Sequence, residues 1–212
     1  MKTEDFCRTY PRLYHMAEAA MWPSIQRHGL LSTSSLLDLY KVTGPERERI
    51  ERQRRGDFME VAHPEFGPVL IRDQKPMSDA TLAPVLIDMT PAEWYALLNE
   101  RVFFWVSEER LKGLLSAYRH RDNLVLVLDT AAVMAQHAAQ TTLSTINSGY
   151  SRRWAVRRGR DTFQSIADFQ PVQKTAGKSV RRAVVECAVL GGVTNVMGAL
   201  IETRPVEKRE EG

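Results

Sequence analysis

Cysteine is scarce in this chain of 212 residues, and its scarcity argues against two structural devices. The two cysteines, Cys7 and Cys187, stand far apart, and neither has a second cysteine at CxxC spacing. The sequence therefore predicts neither a disulfide framework nor a zinc site built from cysteines.

Long apolar runs are missing as well. No run approaches the length of about 18 residues that a membrane-spanning helix needs. The first residues, MKTEDFCRTY, contain no apolar core of a secretion signal. We therefore expect no membrane span and a location in the reducing cytoplasm, where free thiols persist.

Several catalytic motifs are also absent. No glycine-rich loop follows a strand-like run, which argues against Rossmann and P-loop folds. There is no GxSxG motif, and Cys187 lies in an apolar segment with no evident base beside it, which disfavours a nucleophilic role. Four histidines show neither HxH nor HExxH spacing, so no metal site is predicted: His28, His63, His120 and His137.

The composition is that of an ordinary globular chain, with 43% hydrophobic and 26% charged residues. The length suits one domain and allows a core without disulfides or a structural metal. We expect a single domain with its core over residues 12–203, followed by a charged tail over 204–212 that frays.

Early helices mixed with several short strands favour an α+β fold with a split, mostly antiparallel sheet and with N-terminal and inserted helices. The capping pattern Thr90-Pro91-Ala92-Glu93 predicts a helix that ends near Asn99. Apolar runs predict strands over 12–16, 69–71, 101–106, 124–128 and 183–190. Helices are predicted over 22–29, 34–40, 44–56, 107–118 and 130–137.

Positive charge is concentrated late in the chain. Residues 151–182 contain nine Lys and Arg residues against two Asp residues, a net charge of +7. Such a segment can neutralise the phosphates of a dinucleotide or a nucleic acid. A solvated surface loop explains the same composition, so both interpretations stay open.

Glu186 lies in the middle of the apolar segment AVVECAVL. Burying a carboxylate in a strand is costly unless it faces a cleft or a partner. Strand alternation puts Glu186 on one face with Val184 and Ala188, which is consistent with a groove floor. An edge strand facing water is the alternative.

Other polar and aromatic residues stand at the ends of predicted strands. Histidine at position 15 can orient a hydroxyl group or transfer a proton, although one histidine is often only structural. Arg72 offers a guanidinium group suited to a pyrophosphate or a carboxylate, or it pairs with Asp73 at the surface. The aromatic run 103–105 has one face for the core and another that can stack a flat ring.

Four segments, in order along the chain, resemble the ADP-ribosyltransferase superfamily. The likeness is to DarT-type toxins, which modify DNA bases, and to an uncharacterised bacterial family with an FFW motif. The segments are LYHMAEAAMWPSIQRHGLLST (13–33), VLIRDQKPM (69–77), RVFFWVSEERL (101–111) and RRAVVECAVLGGV (181–193). Residue by residue, the matches are His15, Arg72, Phe104 and Glu186.

The resemblance implies an enzyme that takes NAD as its substrate, uses no metal and has the sheet of that superfamily. It implies that Glu186 is the catalytic carboxylate, stabilising positive charge on the ribose and accepting a hydrogen bond from the 2′-hydroxyl. His15, beside Tyr14, would hold the adenosine-side ribose. Arg72 would bind the pyrophosphate or assist proton transfer, and Phe104 or Trp105 would stack the nicotinamide.

The acceptor of the ADP-ribose is the most open part of this interpretation. Arginine-directed relatives carry a second acid two residues before the catalytic glutamate, where this chain has Val184. A nucleic-acid base is therefore the expected acceptor, bound by a turn and by basic residues: Asn147, Ser148, Arg152 and Arg153. An asparagine-rich NAD-binding loop like that of the DNA-modifying toxins is not evident.

Two alternatives remain at the level of sequence. The chain can be a non-catalytic module that binds nucleic acid or an NAD derivative, or an NAD-dependent RNA 2′-phosphotransferase. The expected partners are NAD and DNA or RNA, without a membrane, together with an antitoxin or a hydrolase that reverses the modification.

Overall fold

The computed structural model describes residues 1–151, 156–169, 184–206 and 208. Their strands, in chain order, are β1 (Arg12–Glu18), β2 (Leu30–Leu31), β3 (Met59–His63), β4 (Gly67–Ile71), β5 (Arg101–Trp105), β6 (Asn123–Asp129), β7 (Thr141–Ser144), β8 (Gln164–Ser165), β9 (Glu186–Leu190), β10 (Gly192–Val193) and β11 (Leu200–Val206). Seven of them form one sheet, and two antiparallel pairs stand apart from it: the hairpin of β3 with β4, and β2 with β10, which are distant in sequence.

The helices of the described residues are mostly short. In chain order they are α1 (Thr3–Thr9), α2 (Trp22–His28), α3 (Thr33–Leu39), α4 (Gly44–Arg52), α5 (Asp79–Leu82), α6 (Pro91–Asn99), α7 (Glu108–Ala117), α8 (Thr130–His137) and α9 (Val196–Ala199). Within this part of the chain no helix has the length and apolar character needed to cross a membrane.

Local chemistry explains where α6 begins. The Thr90 side chain accepts a hydrogen bond from the backbone N–H of Glu93, and the Glu93 carboxylate accepts one from the Thr90 backbone. This reciprocal capping satisfies two backbone donors that a helix start leaves unpaired. The helix covers Pro91–Asn99, so the helix predicted from the capping pattern is confirmed.

The main sheet is antiparallel throughout, in the order β11-β6-β1-β5-β9-β7-β8. Strand β1 pairs with β6 along its whole length. On its other side, within the described residues, it pairs with β5 only at Tyr14 and Trp105. The two strands therefore diverge, and the sheet is nearly divided between β1 and β5.

Both faces of the sheet carry packed side chains. Alternation along β1 and β6 sends Leu13 and Leu126 to one face, where α1, α2 and α8 contribute to the largest cluster of buried residues. The opposite face has two smaller clusters. One forms around Trp94 of α6, and the other joins Tyr14 to Leu111 of α7.

The mixture of helices and antiparallel sheet confirms the predicted α+β class. Three boundary predictions were wrong. The helix predicted over 44–56 ends at Arg52. The last predicted strand, over 183–190, begins only at Glu186 in the structure. Residues 204–206 are not a frayed tail, because they pair with β6 as part of the edge strand β11.

Candidate functional site

A cavity of about 410 Å³ opens beside the point where β1 and β5 diverge. This volume lies within the range of roughly 300–1,000 Å³ that small-molecule sites occupy. Eight of the residues predicted to form a site line it: Tyr14, His15, Arg72, Phe104, Trp105, Asn147, Ser148 and Glu186. The other two, Arg152 and Arg153, lie outside the described residues.

The sheet register aligns part of this wall. Tyr14 of β1 lies opposite Trp105 of β5, Trp105 lies opposite Glu186 of β9, and Glu186 lies opposite Ser144 of β7. Directly opposed residues on antiparallel strands point to the same face of the sheet. Glu186 therefore shares its face with two aromatic rings of the cavity wall.

Glu186 is 4% exposed and is held by the turn that follows β7. The backbone N–H of Ser148 donates to its Oε2 atom over 3.0 Å, and the Ser148 side chain also forms a hydrogen bond with it. Burial raises the pKa of Glu186 to about 7, because desolvation outweighs the opposing effects of Ser148 and Arg158. Glu186 thus changes charge near neutral pH.

A buried cation fixes the turn that holds Glu186. Arg158 is 3% exposed, and its Nη1 atom donates to the carbonyl oxygens of Ser148 (3.1 Å) and Tyr150 (2.9 Å). Burial lowers the pKa of Arg158, while the nearby Glu186 raises it. In the sequence this arginine is only one member of a basic segment. Nothing local distinguishes it from Arg157 or Arg160, which are exposed.

His15 bridges the divergence between β1 and β5. Its Nδ1 atom lies 2.9 Å from the carbonyl oxygen of Phe103, so Nδ1 is the donor. Burial lowers the pKa of His15 to about 4, and the neighbouring Arg72 lowers it further, against the effect of this hydrogen bond. The ring is neutral at pH 7, which leaves Nε2 as a hydrogen-bond acceptor.

The aromatic run on β5 divides as strand alternation predicts. Phe104 is 1% exposed, belongs to the main core and packs against His15 with a ring separation of 5.7 Å. Phe103 and Trp105 are half-buried on the opposite face. Of the two rings predicted to stack a ligand, Trp105 is the more accessible one.

Arg72 follows β4 and reaches across to β1. Its Nη2 atom donates to the carbonyl oxygen of Met16 over 3.2 Å, and its guanidinium carbon lies 4.7 Å from the centre of the Tyr118 ring. Burial lowers its pKa, with Tyr118, Glu18 and Asp73 acting in the opposite direction. Tyr14 is the β1 residue aligned with Trp105 and Glu186, and Met16 lies two residues further along β1. Arg72 therefore contacts the cavity wall at a different height from Glu186.

The predicted turn at Asn147–Gly149 is confirmed, and its residues line the cavity. Tyr150, the next residue, lines the cavity and is 41% exposed, so it lies at the mouth. Among the residues that the structure describes, no group of three or more His, Cys, Asp and Glu side chains is arranged to hold a metal ion.

Comparison with known proteins identifies a family but no function. The model of a family of unknown function, DUF7002, matches residues 11–200, which is most of the chain. No curated protein matches, and no solved structure matches.

Proposed function

The chain belongs to the DUF7002 family, and we propose that it cleaves the nicotinamide–ribose bond of NAD and transfers ADP-ribose to a nucleic-acid base. The observation that carries the proposal is the convergence of residues. His15, Arg72, Phe104 and Glu186 come from four separate segments, between 15 and 186 in sequence, and all line one cavity. These are the same four residues that carry the resemblance to ADP-ribosyltransferases.

The residues present fit a dinucleotide of this kind. The cavity wall offers a buried carboxyl group, a neutral imidazole, a guanidinium group and an accessible indole ring. These groups complement a ribose, a second hydroxyl group, a hydrogen-bond acceptor and a flat ring. In this arrangement the lining residues can bind and orient NAD without a metal ion.

Glu186 performs the central chemical role in the proposal. Its carboxylate stabilises the positive charge that develops on the ribose as the glycosidic bond breaks, and it accepts a hydrogen bond from the 2′-hydroxyl. The backbone N–H of Ser148 fixes one carboxylate oxygen, so the group needs little rearrangement. His15 accepts a hydrogen bond from the adenosine-side ribose through Nε2, and Trp105 stacks the nicotinamide ring.

The acceptor side of the proposal rests on the cavity mouth. Tyr150 presents an exposed aromatic ring there, and Arg157 and Arg160 are exposed on the segment that follows. Proteins stack single-stranded bases on exposed aromatic rings and neutralise phosphates with cationic side chains. These features support a nucleic acid over a protein side chain as the acceptor.

The test measures release of nicotinamide from NAD by the purified protein, alone and with single-stranded DNA or RNA. We expect release that increases with nucleic acid and falls about 100-fold or more in Glu186→Gln, since this variant keeps the shape but loses the charge. Glu202→Gln, a change at an exposed glutamate of β11, is the matched control and should behave as wild type.

Three results separate the candidate functions. Loss of nicotinamide release in Glu186→Gln, but not in Glu202→Gln, supports the transferase. Binding of NAD without nicotinamide release, unchanged in Glu186→Gln, supports a non-catalytic module instead. A wild-type protein that neither binds NAD nor releases nicotinamide refutes the proposal.

A further inference from the structure

A second cavity, of about 390 Å³, adjoins the turn that holds Glu186. Ile146 lines this second cavity, and the next residue, Asn147, lines the first one. Consecutive Cα atoms lie about 3.8 Å apart, so the two cavities are close neighbours. No described residue lines both of them, and the second cavity is therefore a separate place for a ligand.

A buried cation belongs to the wall of the second cavity. Arg158 is 3% exposed, lines the second cavity and does not line the first. Its Nε and Nη1 atoms donate to backbone carbonyl oxygens, with Val156 accepting at 3.0 Å from Nε. Its Nη2 atom has no hydrogen-bond partner among the described residues, and it is not one of the atoms that those residues enclose completely. One nitrogen atom of a buried arginine is thus left for a ligand.

The positive charge of Arg158 also lacks a strong counter-charge. The carboxyl group that raises its pKa is Glu186, whose own pKa of about 7 leaves it partly protonated at neutral pH. Buried charges in proteins are usually paired, because removing them from water costs free energy. An anionic group in the second cavity supplies the missing partner.

The rim of the second cavity carries charges of both signs. Arg157 and Arg160 are exposed there, and so are Asp88 and Asp161. With the buried arginine, three cations and two anions line the cavity, and Arg160 also lies 3.6 Å from the Glu93 carboxylate. The local charge is therefore close to zero, so a bare phosphate ion gains little from it. A ligand that combines an anionic group with N–H or O–H donors satisfies both the arginines and the aspartates.

Apolar side chains complete the lining of the second cavity. Ile87 is 40% exposed and Val156 is 55% exposed, although both are aliphatic. Ile146 is half-buried, and Phe169 is buried. Heterocyclic bases pack between apolar side chains in protein pockets. The cavity thus combines an apolar surface for a ring with arginines for an anion.

We propose that the second cavity binds a nucleotide. The base lies against Ile87 and Val156, and the phosphate accepts a hydrogen bond from Nη2 of Arg158. Arg157 adds a second cation at the phosphate, and the two aspartates of the rim accept hydrogen bonds from the base or the ribose. The cavity volume lies within the range of roughly 300–1,000 Å³ of small-molecule sites. A free nucleotide and one nucleotide of a strand offer the same groups, and neither requires that the protein cleave NAD, so the inference goes beyond the proposed function.

The test measures nucleotide binding directly. Calorimetry gives the affinities of the purified protein for AMP, CMP, GMP and UMP, with inorganic phosphate as the reference ligand. Fluorescence anisotropy gives the affinities for labelled single-stranded DNA and RNA of about 12 nucleotides. We expect at least one mononucleotide to bind about 10-fold more tightly than inorganic phosphate, because a packed base adds to the affinity.

The decisive variant is Val156→Asp, which adds a negative charge to the lining of the second cavity. Since Val156 is 55% exposed, the fold tolerates this change. Repulsion of the phosphate should weaken nucleotide binding by about 10-fold. Ile201→Asp is the matched control, because Ile201 is an aliphatic residue of β11 that is 46% exposed and lines neither cavity. Its nucleotide affinity should equal that of wild type.

A pair of arginine variants locates the phosphate. Arg157→Gln and Arg49→Gln remove the same charge from exposed positions, but Arg49 lies on α4 and lines neither cavity. We expect Arg157→Gln to weaken nucleotide binding several-fold and Arg49→Gln to leave it unchanged. With a bound strand, Arg157→Gln should also lower the slope of log affinity against log salt concentration by about one.

The results distinguish the source of the nucleotide. Mononucleotides that bind where strands do not identify a free nucleotide as the ligand, whereas binding of both, weakened together in Val156→Asp, identifies a nucleic-acid strand. Nucleotide affinity that Val156→Asp leaves unchanged overturns the inference. Inorganic phosphate that binds as tightly as every mononucleotide overturns it too, and so does a wild-type protein that binds no nucleotide. Should Val156→Asp not fold, equal affinities of Arg157→Gln and Arg49→Gln overturn it.

Failure of this inference differs from failure of the proposed function. A protein that releases nicotinamide from NAD but binds no nucleotide in the second cavity keeps the proposed function and loses this inference. A protein that does not bind NAD, but binds a nucleotide with the expected loss in Val156→Asp, keeps this inference and loses the proposed function.

Discussion

Replacing Glu186 by Gln should raise the free energy of unfolding relative to wild type as pH increases, and the size of this rise follows from the environment of Glu186. Native Glu186 holds its proton up to a pKa of about 7, against an ordinary value of 4.5. Between these two pH values the native state binds more protons than the unfolded state, so the free energy of unfolding falls as pH rises. Glutamine has no proton to lose, and the variant lacks this fall.

The size of the effect follows from the two pKa values. Each pKa unit corresponds to about 1.4 kcal/mol, so the full difference is about 3 kcal/mol, of which about 2.5 kcal/mol develops between pH 5 and pH 8. Subtracting the wild-type free energy of unfolding from that of Glu186→Gln isolates this contribution. The subtraction cancels the titration of other groups, including His15, whose lowered pKa acts with the opposite sign.

Urea denaturation of both proteins at pH 5, 6, 7 and 8 provides the measurement. We expect the difference in unfolding free energy to grow steadily in favour of Glu186→Gln as pH rises. Glu202→Gln is the matched control, because hydrogen bonds from Arg204 lower the pKa of Glu202 below its ordinary value of 4.5. Glu202 is therefore ionised in both the native and the unfolded state from pH 5 to pH 8, and the difference between this variant and wild type should stay constant across the series. A Glu186→Gln difference that is constant or shrinks with pH would refute the reasoning.

Two further predictions concern the support of the site. Arg158→Lys should lower the free energy of unfolding by about 1–3 kcal/mol. Arg158 reaches the Ser148 and Tyr150 carbonyl oxygens from Nη1 and the Val156 carbonyl oxygen from Nε, and the single nitrogen atom of a lysine cannot occupy both positions. The exposed Arg160→Lys should change this free energy by less than about 0.5 kcal/mol in the same urea titration. Gly192→Ala should disrupt the pairing of β2 with β10 and lower the melting temperature by several degrees, because the φ of Gly192 is 117° and a Cβ atom would meet the Leu30 carbonyl oxygen at 2.2 Å. Gly113→Ala in α7 is the control, since a Cβ atom there meets open space and should stabilise the helix by roughly 1 kcal/mol. Equal effects of the two alanine substitutions would contradict this account.

Strong local signals made part of the fold predictable. The capping residues of α6 and the branched aliphatic run of β6 define their elements without help from distant residues. Other strands depend on their partners. β7, with sequence TTLS, is short and polar, and it is a strand because β8 and β9 flank it. β11 contains Pro205, which argues against a strand in sequence but is tolerated at the edge of a sheet.

The same distinction applies to the candidate site. Glu186 is recognisable because a carboxylate within an apolar run is unusual. The contacts of Arg158 and Asp73 are not recognisable, because each joins residues that are distant in sequence. Arg158 reaches back to Ser148, and Asp73 reaches forward to Tyr118. No local pattern encodes either contact.

The divergence of β1 from β5 has a consequence for how the cavity responds to substitution. Strands inside a sheet normally form backbone hydrogen bonds with both neighbouring strands. In the described residues, β1 and β5 are paired only at Tyr14 and Trp105, and residues of both strands line the cavity. Side chains already use two of these carbonyl groups, those of Met16 and Phe103. Backbone groups are the same whatever the side chain, so a substitution in the cavity wall can change the side-chain chemistry of the cavity while these carbonyl groups stay in place.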